Sequence, residues 1–238
     1  MTQTSPAAPD AVRARLDALV RLGIDWGAGR GRVPRSAPDS RAVPGPRSAA
    51  AQAVRPAAVL VLFGALEGRA GHDPGDIDVL LVERAASLGH HPGQIAFPGG
   101  RLDPDDTGPV GAALREATEE TGLDADGVEV VGTLAGLPLP VSNHLVTPVL
   151  GWWARPSPVG VVDHGECAAV FRVPVSTLLD PENRRLGRVT RGRSSFDSPA
   201  FVVEDRVVWG FTGIVLDRVL DGLGWALPWE RRLLDIPV

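Results

Sequence analysis

Three glutamates, Glu116, Glu119 and Glu120, stand at positions i, i+3 and i+4 of one short segment. In a helix this spacing places them on one face, where like charges repel by about 0.3 kcal/mol per pair. Arg115 is the only cation in residues 112–123, so most of this repulsion needs another cation to offset it. Carboxylate oxygens suit Mg2+ or Mn2+. The alternative is the solvated acidic face of an ordinary helix.

The same segment carries the start and stop signals of a helix. Pro109 follows Gly108 and suits the first turn, while Gly122 suits the end. Upstream, Gly99 and Gly100 allow close backbone approach, and a carbonyl of this loop is a candidate to complete a metal shell. We therefore predict a short acidic helix beside a glycine turn.

The stretch Arg-Glu-Ala-x-Glu-Glu-x-Gly-Leu at 115–123 resembles the signature of the Nudix hydrolases. That signature is Gly-x5-Glu-x7-Arg-Glu-U-x-Glu-Glu-x-Gly-U, where U is a bulky aliphatic residue. The first half of the signature is not matched in this chain. Counting back from Arg115 places Arg101 at the position of the glycine and Thr107 at the position of the first glutamate. A one-residue insertion restores Gly100 as the glycine and leaves Asp106 as the nearest acid.

The resemblance also implies roles for individual residues. Glu116, Glu119 and Glu120 would hold the metal, and Glu119, Glu120 and Arg115 would form the catalytic group. Arg115 would orient the carboxylates through a salt bridge to an acid of the preceding loop. The candidate loop acids are Asp103, Asp105 and Asp106. Glu166 stands in a late loop, where Nudix enzymes often carry a further metal ligand or base; the alternative is a surface acid.

A second pattern precedes the helix. Residues 80–85, Leu-Leu-Val-Glu-Arg-Ala, and residues 93–100, Gly-Gln-Ile-Ala-Phe-Pro-Gly-Gly, resemble the extra signature of the coenzyme A pyrophosphatases within the Nudix family. That signature is Leu-Leu-Thr-x-Arg-Ser/Ala-x3-Arg-x3-Gly-x3-Phe-Pro-Gly-Gly. The spacing fits to the residue, with Val82 replacing the threonine and Gly89 replacing the second arginine.

This second resemblance implies a substrate. Arg84, Gly99 and Gly100 would bind it, and the reaction would be Mg2+- or Mn2+-dependent hydrolysis of a diphosphate bond. Coenzyme A or its thioesters would give a 3′,5′-ADP-type nucleotide and phosphopantetheine. The rival substrates are other nucleoside diphosphate derivatives, such as ADP-ribose or a dinucleotide. A hypothesis of another class is a nucleotide-sensing module that keeps the fold without catalysis.

The expected fold is mixed α/β (α+β), a Nudix-type mixed β-sheet sandwiched between helices, with an N-terminal helical extension. Residues 1–55 are assigned to a helix plus a Pro-, Gly- and Arg-rich linker, and residues 56–238 to the hydrolase domain. Apolar spacing predicts the helix over Asp10–Leu22. The absence of any sustained period predicts the linker over Gly27–Ala53.

Apolar runs and turn residues predict the remaining elements. Ala57–Phe63 and Ile77–Glu83 are expected to pair as a hairpin. An exposed edge strand is expected over Phe201–Trp209, followed by a final helix ending at Leu223. The other predicted elements are strands at Ile95–Pro98, Val128–Leu134 and Leu145–Trp152, a segment at 166–174 leading into a strand and a helix at 175–179, and a turn over 180–185.

Composition excludes several classes of function. A net charge of −5, with arginine as every one of the 24 basic residues, argues against a nucleic-acid surface. Cys167 is the only cysteine, which excludes an intramolecular disulfide, and its apolar neighbours predict a core residue rather than a nucleophile. No stretch reaches the roughly 18 apolar residues of a membrane span. A cytoplasmic enzyme with a small-molecule substrate is expected, and the sequence leaves the oligomeric state open, a homodimer included.

Histidines are minor candidates. His90 and His91 are adjacent, but no cysteine or third histidine lies at ligand spacing, so a zinc site is not expected. His144 lies in a polar loop and is a secondary candidate for the general base, with a plain loop residue as the alternative.

Overall fold

A computed structural model describes residues 9–26, 54–71, 73–87, 93–139, 142–192 and 194–237. These residues form four α-helices: α1 (Pro9–Leu22), α2 (Pro109–Thr121), α3 (Val175–Leu179) and α4 (Gly210–Gly222). They also form twelve strands: β1 (Arg55–Ala65), β2 (Ile77–Arg84), β3 (Ile95–Ala96), β4 (Gly99–Arg101), β5 (Val128–Thr133), β6 (Leu137–Leu139), β7 (His144–Trp153), β8 (Cys167–Pro174), β9 (Arg184–Arg191), β10 (Ser194–Val203), β11 (Arg206–Val208) and β12 (Leu233–Asp235). The predicted linker Gly27–Ala53, Gly89 and the two histidines His90 and His91 lie outside the described residues.

The larger sheet has eight strands of mixed direction. Its central path runs β3-β2-β1-β7-β5, while β4 pairs with β1, β6 with β7 and β8 with β2. The predicted hairpin is confirmed, because β1 and β2 pair antiparallel with Phe63 opposite Val79. By contrast β1 and β7 run parallel, with Arg55 opposite His144. The sheet therefore brings the start of β1 beside the start of β7.

Strand β1 is buried on both faces, as its continuous apolar run predicts. Val61 and Phe63 point into a cluster that includes residues of α1, α3 and α4. Leu60 and Leu62 point into a second cluster with the alanines of α2. Side chains alternate across a strand, so one strand anchors both layers. The predicted sandwich of a mixed sheet between helices is confirmed.

Helix α2 begins and ends where the sequence predicts. Gly108 precedes Pro109, and Gly122 adopts the left-handed conformation with φ of 71°. Its backbone N–H donates to the Thr118 carbonyl at 2.9 Å, which satisfies a carbonyl at the helix end. Three alanines pack the helix closely against the sheet: Ala112, Ala113 and Ala117.

Helix α1 packs on the sheet face that also carries α4. Val12, Leu16 and Leu19 are buried in the same cluster as the α4 side chains. Arg15 donates to the Leu223 carbonyl at 3.1 Å. The helix predicted from Asp10 is thus present, and it is part of the main core.

A second sheet, in the order β11-β10-β9-β12, follows the larger one in the chain. It corrects the prediction of one exposed edge strand over Phe201–Trp209, since that region is an antiparallel pair turning at Glu204, with φ of 55°. Phe201 and Val208 are fully buried rather than exposed. The alternation of valine with charged residues predicted a strand exposed at the edge of a sheet. In the structure, the second sheet packs against the main hydrophobic core, which buries the apolar side chains of this pair.

Two shorter predictions also change. The strand predicted over Ile95–Pro98 is shorter and ends at Ala96. The glycines predicted as a turn form a separate strand, β4, in which Gly99 pairs with Val59 of β1. The turn predicted after α3 is only three residues long, Pro181–Asn183, and β9 begins directly after it. In the described ranges, no helix is both long and apolar enough to cross a membrane.

Candidate active site

The three glutamates of α2 differ in exposure. Glu120 is 5% exposed, and the side chains of Glu116 and Glu119 are 20% and 58% exposed. Position on the helix therefore does not decide their environment. The exposure of each glutamate depends instead on the segment that packs over it. The segments that pack there are the glycine turn and the loop before α2.

Glu120 is held against the glycine turn. The backbone N–H of Gly99 donates to its Oε2 at 3.0 Å. Burial raises the pKa of Glu120 to about 7, and the nearby charges of Glu116 and Glu166 add to the rise. The Gly99 hydrogen bond and the Arg84 charge act in the opposite direction. A carboxylate with this pKa exchanges its proton near neutral pH.

Glu116 lies directly on Gly100. A Cβ atom at position 100 would overlap the Glu116 carboxylate, so only glycine leaves room for it. Burial raises the pKa of Glu116, and Arg115 partly opposes the rise, while Glu119 and Glu166 add to it. The glycine turn thus contacts both inward-facing acids.

Arg115 joins the loop to the helix. Its Nε and Nη2 donate to the two oxygens of Asp106, each at 3.0 Å. Nη2 also donates to the carbonyl of Arg101 at 3.1 Å. Of the three candidate loop acids, Asp106 is therefore the one that forms the bidentate pair with Arg115. The Arg115 side chain holds the pKa of Asp106 below its usual range.

The same guanidinium also holds two of the glutamates. Its Nη1 lies 3.1 Å from Glu116 Oε1 and 3.1 Å from Glu119 Oε2. Glu119 consequently points towards Arg115 and solvent instead of joining Glu120. Among the described residues, no three His, Cys, Asp or Glu side chains are gathered closely enough to hold a metal as they stand. The structure brings Glu116 and Glu120 to the glycine turn and leaves Glu119 outside.

A cavity of about 1520 Å³ opens on the other side of the glycine turn. Arg84, Gly99 and Gly100 line it, while none of the α2 glutamates does. Gly99 and Gly100 thus lie between the cavity and the acids, and they present no side chain in either direction. Arg84 lines the cavity, and its positive charge lowers the pKa of Glu120.

Glu166 lies at the edge of this group. Its charge raises the pKa values of both Glu116 and Glu120, which places it near them, and its side chain is exposed. The Glu166 carbonyl accepts a bond from Ala85 N–H at 2.8 Å, which ties the late loop to the end of β2. Next to it, Cys167 is buried, as predicted. Burial raises the pKa of its thiol to about 11, which argues against a thiolate nucleophile.

The second sheet and the C-terminal segment supply the far wall of the cavity. Arg206 of β11 lines it and forms a 2.9 Å ion pair with Glu83 of β2, which joins the two sheets. Trp209 and Phe211, at the start of α4, add aromatic surface. Sequence reasoning missed this wall, because it arises from strands far apart in the chain.

Two arginines at the opposite end of the cavity were also missed, Arg55 and Arg101. Their only signal was position, since Arg55 opens the apolar run of β1 and Arg101 follows the glycines. His144 lines the cavity beside them. Burial lowers the pKa of His144, and the charges of Arg101 and Arg55 lower it further.

The chain is similar to proteins of one known family. A family model described as the NUDIX domain matches residues 55–188. The Nudix hydrolase NudL of Photorhabdus laumondii is 35% identical over 145 residues, covering 59% of this chain and 74% of the relative. Nudix hydrolase 3 of Caenorhabditis elegans is 33% identical over 161 residues, covering 61% and 67%.

Among solved structures, a NUDIX hydrolase from Nitrosomonas europaea aligns with a TM-score of 0.47 and 12% identity. The alignment covers 78% of this chain and 81% of that one. The family model alone spans more than half of the chain, from the first residue of β1 into β9. The chain therefore belongs to the Nudix family, and it is a Nudix hydrolase.

Proposed function

We propose that this Nudix hydrolase cleaves the diphosphate bond of coenzyme A or its derivatives, using Mg2+ or Mn2+. The products would be a 3′,5′-ADP-type nucleotide and (acyl-)phosphopantetheine. The observation that carries the proposal is that residues of both signatures contact or influence the carboxylate of Glu120, which belongs to the Nudix signature. Two residues of the coenzyme A-type signature do so: the Gly99 N–H donates a hydrogen bond to this carboxylate, and the positive charge of Arg84 lowers its pKa.

The donor set supports a hard divalent cation. Glu116 and Glu120 offer carboxylate oxygens in partly buried positions, and the Glu116 and Glu166 charges raise the pKa of Glu120. Glu116 and Glu120 would hold the cation, and Glu119 would join them only when its carboxylate leaves Arg115. When bound, such a cation supplies charge neutralisation at the diphosphate and activation of water.

The chain's own residues would carry out the remaining work. Arg84 would bind a diphosphate oxygen from the cavity side. Gly99 and Gly100 have no side chains, so the substrate could come close to the backbone of the turn and to the acids behind it. Water attacks one phosphorus, the bridging P–O bond breaks, and the proton of the water passes to Glu120 or Glu166. Arg115 would act as a positioning residue, holding Glu116 and Glu119 against the Asp106 loop.

The test is a substrate panel with purified full-length protein and Mg2+, with products identified by mass spectrometry. The panel compares coenzyme A, ADP-ribose, NADH and deoxynucleoside triphosphates. Release of 3′,5′-ADP from coenzyme A, at the highest kcat/KM of the panel, is expected. Higher turnover of ADP-ribose or NADH would favour the rival substrates, for which the replacements at Val82 and Gly89 argue. Binding without turnover in any divalent metal would contradict catalysis.

The site itself is tested by Glu119→Gln and Glu120→Gln. Each should lower kcat by at least ~100-fold, the loss typical of removing a general base or a metal ligand. Glu67→Gln is the matched control, because Glu67 is exposed and lies in the turn after β1, outside the site. Rates like those of the unaltered protein in both site variants would exclude these glutamates. The cytoplasmic location stays a prediction, and the sequence leaves the oligomeric state open, a homodimer included.

A further inference from the structure

Three basic side chains lie together at one end of the cavity, next to the start of β1. Arg55 and His144 are directly opposite each other in the β1–β7 ladder, and Arg101 is opposite Ala57 on the other side of β1. All three line the cavity. We refer to Arg55, Arg101 and His144 as the basic trio.

Among the residues that the structure describes, neither arginine of the basic trio has an acidic partner. Within the described ranges, no carboxylate lies within salt-bridge distance of Arg55 or Arg101, whereas Arg206 of the same cavity pairs with Glu83 at 2.9 Å. Both unpaired side chains are exposed. The positive charges of Arg101 and Arg55 also lower the pKa of His144, after burial. Asp205 and Asp235 also line the cavity, but neither lies within salt-bridge distance of the two arginines, so Arg55 and Arg101 give this end of the cavity a positive charge that attracts anions.

The distance from the acids to the trio follows from the sheet register. Gly99, which binds Glu120, is opposite Val59 of β1, and Arg101 is opposite Ala57, two residues away. At about 3.3 Å per residue, Arg101 lies ~7 Å and Arg55 ~13 Å along the strand from the glycine turn. This backbone separation leaves room for a sugar unit between the glycine turn and the basic trio, so the trio can contact a phosphate other than the diphosphate beside Glu120.

We propose that the basic trio binds a phosphate monoester that the substrate carries in addition to its scissile diphosphate. The proposal rests on the proposed diphosphate hydrolysis and makes it more specific: the substrate class is nucleoside diphosphate derivatives with a phosphorylated ribose. Arginine forms strong charge-assisted hydrogen bonds to phosphate, and two arginines with a histidine match the oxygens of a terminal phosphate. Coenzyme A meets this requirement through its 3′-phosphate, and NADPH through its 2′-phosphate.

The experiment compares substrates in pairs that differ by one phosphate monoester. The pairs are coenzyme A with dephospho-coenzyme A, and NADPH with NADH, each assayed for kcat/KM with Mg2+. The phosphorylated member should be preferred by at least about tenfold in at least one pair, and which pair identifies the ribose position. Equal kcat/KM values within both pairs would overturn the subsite while leaving diphosphate hydrolysis intact.

Variants assign the preference to the trio. Arg55→Gln and Arg101→Gln should each reduce the ratio within the preferred pair by about tenfold, and the double variant should bring the ratio near one. Arg21→Gln removes an exposed arginine of α1 outside the cavity and should leave the ratio unchanged. An unchanged ratio in the double variant would overturn the assignment.

A binding measurement separates failure of the subsite from failure of the proposed reaction. Calorimetry with 3′,5′-ADP, 2′,5′-ADP and AMP needs no turnover. Tighter binding of one bisphosphate than of AMP, lost in the double arginine variant, would support the subsite even for a protein that hydrolyses none of the panel. Equal affinity for all three nucleotides would overturn the subsite even if coenzyme A is hydrolysed.

Discussion

Arg115 is the residue on which the geometry of the acids depends. One guanidinium contacts both oxygens of Asp106, the carbonyl of Arg101 and one oxygen each of Glu116 and Glu119. A planar guanidinium holds five donors in a fixed geometry, whereas a lysine ammonium has only three donors, which rotate freely. Asp106 in turn fixes the guanidinium by a bidentate contact.

The first prediction concerns Asp106→Asn. Loss of the bidentate acceptor should loosen Arg115 and, through it, Glu116. Removal of a residue that orients metal ligands typically weakens metal affinity about 10–100-fold, so the Mg2+ concentration for half-maximal activity should rise by about tenfold or more. Magnesium titrations of activity measure this. Asp105→Asn, at an exposed neighbour, is the control, and an equal shift in both variants would argue against the Arg115 contact as the cause.

The second prediction concerns Asp78, a buried acid far from the α2 glutamates in the chain. Its Oδ2 pairs with Arg172 Nε at 2.8 Å, while Oδ1 has no hydrogen-bond partner among the described residues. Burial, which outweighs the attraction of Arg172, raises the pKa of Asp78 from 3.8 to about 6. The folded state therefore holds this proton over a pH range in which the unfolded state has lost it.

The sign of the effect follows from linkage. A raised carboxyl pKa contributes stability below the unfolded value, and this contribution is lost as the pH rises through the folded value. The free energy of unfolding should therefore fall, relative to that of Asp78→Asn, by on the order of 2 kcal/mol between about pH 4 and pH 7. Denaturant titrations at several pH values test this. Asp73→Asn, at an exposed site, should show no such trend, and a pH-independent difference for Asp78→Asn would contradict the raised pKa.

At the scale of elements, β4 and α2 meet through the two glycines, which differ in what surrounds them. Gly99 has a φ of 152°, and a Cβ there would lie 2.6 Å from the Val59 Cα atom. A Cβ on Gly100 would instead meet the flexible end of Glu116. One site is therefore blocked by backbone and the other by a movable carboxylate.

The third prediction is a contrast between alanine variants at these glycines. Gly100→Ala should keep the fold, with a small change in the free energy of unfolding, yet lower kcat by about tenfold or more because Glu116 is displaced. Gly99→Ala should lower the free energy of unfolding by about 1–3 kcal/mol, because backbone must move. Denaturant titrations and kinetics of both variants provide the comparison. Equal stability of the two variants would contradict this account of the turn.

At the scale of the whole molecule, α1 is part of the main core. Leu16 is fully buried and belongs to the cluster that also holds Phe63 of β1 and Leu216 of α4. Leu22, at the end of the same helix, is 86% exposed. The hydrophobic core therefore includes residues on both sides of residue 55, where the sequence predicts a domain boundary.

The fourth prediction follows from this packing. Leu16→Ala should lower the free energy of unfolding by about 2–5 kcal/mol, the range for emptying a packed core position. Leu22→Ala on the same helix should change it by less than about 0.5 kcal/mol. Chemical denaturation of both variants measures the difference. A Leu16 variant as stable as the Leu22 variant would indicate that α1 folds separately from the sheet.

The sequence by itself determined the elements whose signals are local. The caps of α2, the continuous apolar run of β1 and the pairing of Arg115 with a loop acid all depend on residues within a few positions of one another. Helical spacing also predicts that Glu116, Glu119 and Glu120 share a face. Local stereochemistry is sufficient in these cases, because propensity, capping and periodicity act within one or two turns of chain.

Only the tertiary structure decided which acids face inward and where the cavity lies. Glu120 is buried because Gly99, brought in by β4, covers it, whereas Glu119 turns to Arg115. The basic trio exists because a parallel ladder sets Arg55 opposite His144, and the far wall comes from a second sheet. Burial and strand register arise from contacts between residues distant in the chain, so no local pattern specifies them.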